Sequence, residues 1–205
     1  MKKVLFIFVL SVLSSAVQAQ NIRALFMSAP EEVLPLLPEN SRADCLDYID
    51  AGMEAVVSNR LDGTSRLVTL TDDCLLLQTT ASSSMQIKLL PSSDGGTIVC
   101  VVKSVKAESE NSHMAFYDAC WNELPAERYF DSPEITDFFV SEESAGNYAD
   151  KCDMYLVKYT MSVENATLVA EYTMPSYMDV DDRKLVSPFL KSVVYRWNGQ
   201  RFVKE

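Results

Sequence analysis

Three groups of residues in this chain have types and spacing suited to chemistry. The only histidine, His113, lies seven positions before Cys120. An imidazole beside a thiol is the pairing that activates a cysteine nucleophile, but a spacing of seven that runs past a strand end into irregular chain brings no fixed geometry with it. The second group is acidic: Asp72-Asp73, Glu142-Glu143 and Asp181-Asp182. Paired carboxylates are the machinery of glycoside hydrolysis and also ligands for calcium. Asp179-Val-Asp-Asp182 fails as a calcium loop, because Lys184 stands where the sixth-position glycine belongs and Leu190 where the twelfth-position glutamate does. Each acid pair also has a plainer reading as a hairpin turn, a solvated loop, or acids at a helix N-terminus. The third group is Arg196 and Arg201. A two-residue Asn198-Gly199 turn would set them opposite one another, with Tyr195 facing Phe202. Like charges across a hairpin are unfavourable, so acidic side chains or an anionic ligand must compensate. Arg196 and Arg201 are therefore the candidate ligand-binding residues.

Other chemistry is poorly supplied. A single histidine excludes a two-histidine metal site within one chain, and no Cys-x-x-Cys joins any of Cys45, Cys74, Cys100, Cys120 and Cys152. No metal and no cofactor is expected. G-x-S-x-G, G-x-G-x-x-G, the phosphate-binding P-loop and H-E-x-x-H are all absent. Several cysteines sit inside apolar runs, as in Cys74-Leu-Leu-Leu and Val-Cys100-Val-Val, and are read as buried free thiols. Tyr155, Val157 and Tyr159 alternate onto one strand face. Exposed, they would make an aromatic platform for a glycan; as core, they would stabilise a sheet by cross-strand packing.

The elements that must position these groups read as follows. Lys2-Lys3, an apolar run from Val4 to Leu10 and small residues before Gln20 form a secretory signal peptide, cut after Ala19. No cysteine follows the cut, so the protein is not read as a lipoprotein. No later run is long enough to span a bilayer. Ser28-Ala-Pro-Glu31 predicts a capped helix through Leu37 stopped by Pro38, and Ser41 opens a second whose stripe includes Leu46, Ile49, Met53, Val56 and Val57. From Ser65 the period becomes two. Leu67–Leu70 and Cys74–Thr79 form a hairpin, Met85, Ile87 and Leu89 alternate with polar residues, and Thr97–Val105 is apolar on both faces, as a central covered strand would be. His113–Tyr117 is a further strand, Ser132-Pro-Glu134 opens a helix to about Val140, and Ser141–Asp150 is a polar connection. Two hairpins with a helix between them, opened by Asp179, complete the chain. The fold class is α+β: an antiparallel sheet built from hairpins, with short helices packed on one face. Residues 20–205 form one domain or two small halves joined near 141–150.

The runs Arg60-Leu-Asp-Gly-Thr-Ser-Arg-Leu67, Leu70-Thr-Asp-Asp-Cys-Leu75, Met85-Gln-Ile-Lys-Leu-Leu-Pro91 and Phe116-Tyr-Asp-Ala-Cys-Trp121 resemble a family of exported Bacteroidales proteins, domain of unknown function 3256. The resemblance covers nearly the whole chain beyond the signal peptide. It implies a periplasmic or outer-envelope setting in a Gram-negative anaerobe and brings no catalytic residues.

A formal net charge of −11 argues against nucleic acid, whose phosphates need a basic face. The reading is an exported, periplasmic or extracellular, non-enzymatic protein binding a protein or glycan partner at the cell envelope. The alternative is a glycan-active or other envelope hydrolase using paired carboxylates.

Overall fold

The computed structural model describes residues 21–205, so the signal peptide expected at 1–19 lies outside the described residues. The first element is a helix absent from the sequence reading, α1 (Ile22–Ser28). The Asn21 side chain caps it by accepting the Arg23 N–H, and Ile22, Leu25 and Phe26 turn inward at helical spacing. The helix expected over Ser28–Leu37 does not form. Pro35 has no N–H for a helical ladder, and Pro30–Leu37 instead makes a turn and an apolar strap with Val33, Leu34 and Leu37 buried. Pro38, expected as a stop, caps the start of α2 (Glu39–Asp50). From α2 the Arg42 guanidinium reaches back to donate to the Phe26 and Ala29 carbonyls, so it ties off the end of α1.

The α2 stripe ends sooner than its spacing suggests. Gly52 takes a left-handed φ of 68° and the Met53 N–H closes on the Tyr48 carbonyl. Val56 and Val57 therefore belong to a strand, β1 (Ala55–Ser58), which suits their β-branched side chains better than a helix. Next come β2 (Thr64–Leu70), β3 (Cys74–Thr80), β4 (Ser83–Pro91), β5 (Thr97–Lys106), β6 (Glu110–Tyr117) and the stub β7 (Glu123–Leu124). They form an antiparallel meander in sequence order, β1 to β7. Asn59–Gly63 joins β1 to β2.

The expected two-faced character of β5 is what organises the molecule. Val99 and Val101 face the core beneath α1, α2 and the strap, while Cys100 and Val102 face a second core. That second core lies against a four-stranded antiparallel sheet made of β8 (Val157–Met161), β9 (Thr167–Tyr172), β10 (Val193–Trp197) and β11 (Phe202–Lys204), in the order β11-β10-β9-β8. The class is α+β as expected, with the hairpins divided between two sheets. Helices α1 and α2 cover one face of the large sheet, and the small sheet covers much of the other. The cluster between the sheets draws residues from both sides of 141–150. That segment is itself mostly helical: α3 (Glu142–Tyr148) starts from a Ser141–Ser144 capping box. A last helix, α4 (Val180–Val186), is capped by the Asp179 carboxylate.

Strand β8 is an edge, and an edge exposes unpaired N–H groups. Here the large sheet supplies side-chain acceptors for three of them. Val157 N–H donates to Asn111 Oδ1, Tyr159 N–H to Ser112 Oγ and Met161 N–H to Gln86 Oε1, each at 3.0 Å. Gln86 returns an Nε2 bond to the Met161 carbonyl. Polar side chains of the large sheet are thus what fix β8 across it.

Cys45, Cys74, Cys100 and Cys152 are buried free thiols and Cys120 is an exposed one. Cys74 and Cys100 share a face but are each paired with Lys88 on the strand between them. Two strand spacings put them about 9.5 Å apart, beyond the roughly 7 Å a disulfide spans. Burial pushes the Cys45 thiol up to about 11 and raises Cys74, Cys100 and Cys152 as well. At pH 8 iodoacetamide should therefore label one thiol of the folded protein, Cys120, and all five only after unfolding. Mass spectrometry of the alkylated, non-reduced protein would count them; a Cys74–Cys100 linked peptide would refute the packing described.

Candidate functional site

Two depressions lie beside β8. The first is a groove of about 370 Å³ between that edge and the β3–β5 end of the large sheet. Its floor carries Leu76, Gln78, Ser84, Gln86 and Ser104, and Lys158–Thr160 forms a wall. Strand alternation puts these floor residues on one face, and Gln78 lies directly opposite Ser84. Gln86 is committed to β8, and Ser104 shares a 2.7 Å hydrogen bond with Ser112. Charge enters only at the margin, where Lys158 pairs with Glu110 at 3.2 Å and Lys106 also lines the opening. The groove is a polar, mostly uncharged surface of amides and hydroxyls.

The second depression is a cleft of about 590 Å³ on the other side of β8, where the β6 edge is left by β7. Met114 and Phe116 line it with Glu127, Asp131, Tyr155 and Tyr159. Tyr155 donates to the Pro133 carbonyl at 2.8 Å, and its oxygen is 3.4 Å from that of Tyr159. The Tyr155 ring is exposed on one side, but desolvation at its hydroxyl end, reinforced by Tyr159, raises the phenol well above its ordinary value, so it stays a neutral donor.

A family model for proteins of unknown function, DUF3256, matches residues 14–202. The chain belongs to this family. No curated protein matches it. Among solved structures it is similar to a domain of an uncharacterised protein from Porphyromonas gingivalis W83, a member of the Bacteroidales. That likeness has 25% identity and a TM-score of 0.77, and covers 90% of this chain and 97% of the other.

In this DUF3256 protein the residues singled out from sequence are scattered. The final hairpin closes through four residues, Asn198–Arg201, with Trp197 opposite Phe202 and Arg196 opposite Val203. This corrects the expected register: the two arginines do not face each other, and Tyr195 lies opposite Lys204. The Asn198 side chain accepts the Gln200 and Arg201 N–H groups, which folds the longer loop. Arg196 pairs with Glu205 at 2.6 Å and Arg201 with Asp131, one of the cleft acids. The anionic compensation expected from the sequence comes from two separate carboxylates.

The acid pairs are equally dispersed. Asp73 sits in the β2–β3 turn and binds Lys88 at 2.9 Å. Glu142 and Glu143 occupy the first turn of α3, and Asp182, in the first turn of α4, pairs with Lys151. His113 is exposed and paired across the ladder with Lys103. Cys120 lies in the turn after β6, where Asp118 is held below the usual carboxylate range by the Asn122 amide and by the Asn122 and Cys120 N–H groups. No hydrogen bond joins His113 to Cys120 among the described residues. Of the late aromatics Tyr159, Tyr172, Tyr195, Trp197 and Phe202 are core, and Tyr155 and Tyr177 are exposed. No cluster of three or more metal-ligating side chains occurs among the described residues, and no helix there is long and apolar enough to cross a membrane. The groove and the cleft escaped the sequence reading because their residues come from strands and loops far apart in the chain.

Proposed function

We propose that this protein is an exported, non-enzymatic envelope protein that holds a neutral, hydroxyl- or amide-rich stretch of a partner in the groove between its two sheets. The observation that carries this reading is the Gln78–Ser84 pair on the groove floor. Both side chains face the opening, and neither makes a hydrogen bond within the protein among the described residues. Such groups gain most from a ligand that offers matching donors and acceptors without charge. Export rests on the cationic and apolar start of the chain, and is tested by finding Gln20 as the first residue of the protein recovered from the envelope. The acidity of the chain disfavours nucleic acid as the partner.

Titration of the isotopically labelled protein with maltohexaose, cellohexaose and chitohexaose tests the groove. The expected result is saturable amide shifts at Gln78, Ser84 and Ser104 for at least one glycan, weakened about tenfold by Gln78→Leu. No saturable shift in this region with any of the three overturns the reading for glycans. The hydrolase reading draws on the other depression, where Glu127 and Asp131 line one cleft. It requires turnover of a glycoside that Glu127→Gln abolishes.

A further inference from the structure

The cleft beside β6 has a feature the groove lacks: an interrupted ladder. Asp118 N–H donates to the Asn122 carbonyl across the β6–β7 hairpin, so 118 and 122 are a hydrogen-bonded pair. In an antiparallel pair these alternate, which makes Phe116 and Leu124 the next bonded pair. The backbone groups of Met114 and Ser112 must then point the same way. Nothing continues β7 to meet them. Pro125 ends it, and the chain turns off into a short 3-10 turn, Ala126–Arg128. At the far end, the Glu110 carbonyl is already taken by the Thr173 hydroxyl. Ser112 and Met114 thus present two N–H groups and two carbonyls to the cleft that both residues line, and no partner for any of the four occurs among the described residues.

We propose that this gap is a strand-addition site for a short extended peptide of a partner protein, carrying a basic side chain. The peptide would run antiparallel to β6 as a prolongation of β7, with its backbone bonded to Ser112 and Met114. Alternate side chains would lie on one face of the sheet against Tyr155, the exposed ring of the cleft wall. The preference for a basic residue comes from the rim. Glu127 lines the cleft and makes no ion pair among the described residues, while Asp131 beside it is shared with Arg201. The chain as a whole carries −11, so a cationic segment is also favoured on approach. This site is separate from the groove, and it stands whether or not a glycan binds there.

The probe is a displayed library of random twelve-residue peptides selected on the intact protein, followed by synthesis of the best binder. The expected binder contains a Lys or Arg in an alternating apolar stretch and protects the Ser112 and Met114 amides from hydrogen exchange. It loses at least about tenfold in affinity on N-methylation of the residue that meets the Met114 carbonyl, while methylation one position along has little effect. Glu127→Lys, an exposed change that leaves the fold intact, weakens it about as much. Failure to select any binder overturns the proposal. So do protection confined to the groove and binding indifferent to N-methylation at either position.

Discussion

Phe116→Ala should lower the unfolding free energy by about 4 kcal/mol, the loss expected for a fully buried phenylalanine whose space does not refill. The Phe116 ring is 0% exposed, stacks on Tyr129 at a centroid distance of 5.1 Å and meets Phe202 at 6.4 Å. These contacts join the large sheet to the 129–130 segment and to the last strand of the small sheet, so one truncation loosens both sheets at once. In a chain of this size the melting temperature would fall by about 10 °C. Urea unfolding of the two proteins checks it. A loss below about 1 kcal/mol would mean that the inter-sheet core is not held together through this ring.

The second large effect is electrostatic. Lys88 is 1% exposed, and its ammonium has two partners, Asp73 Oδ2 at 2.9 Å and the Val163 carbonyl at 3.0 Å. Asp73→Ala would leave that charge buried against a single carbonyl, which should cost about 3 kcal/mol. Lys88→Met should cost much less, because Asp73 is half exposed and can be hydrated once its partner is gone. Adding Lys88→Met to Asp73→Ala should therefore recover most of the stability lost. This ordering separates a buried-charge penalty from a simple loss of contacts, for which the double variant would be the least stable of the three. The double-mutant cycle measured by urea unfolding decides between them.

The legibility of this chain followed the range of the interactions involved. The β2–β3 hairpin, the alternating β4, the two-faced β5 and the Asp179-capped α4 were readable because each is decided within about ten residues, by side-chain alternation, turn chemistry or a cap. Where a local signal was ambiguous, the reading failed in a consistent way. Val56 and Val57 continue the apolar stripe of α2 on paper, yet Gly52 ends the helix before them. Ser28-Ala-Pro-Glu31 has the form of a capping box, but Pro35 leaves the segment no helical ladder. The Asn198-Gly199 dipeptide signals a tight turn, and the Asn198 side chain instead folds a four-residue loop. That single change of register separated Arg196 from Arg201 and gave each its own carboxylate.

By itself the sequence determined the α+β class, most of the antiparallel hairpins and the burial of Cys74 and Cys100, because periodicity and composition carry these. Tertiary structure decided that the hairpins divide into two sheets and that β8 lies across the first on side-chain hydrogen bonds from Gln86, Asn111 and Ser112. It also decided that a polar groove and an interrupted β6 edge open on either side of β8. Those features depend on pairings between residues up to 75 positions apart, for which no local pattern in the chain supplies a register.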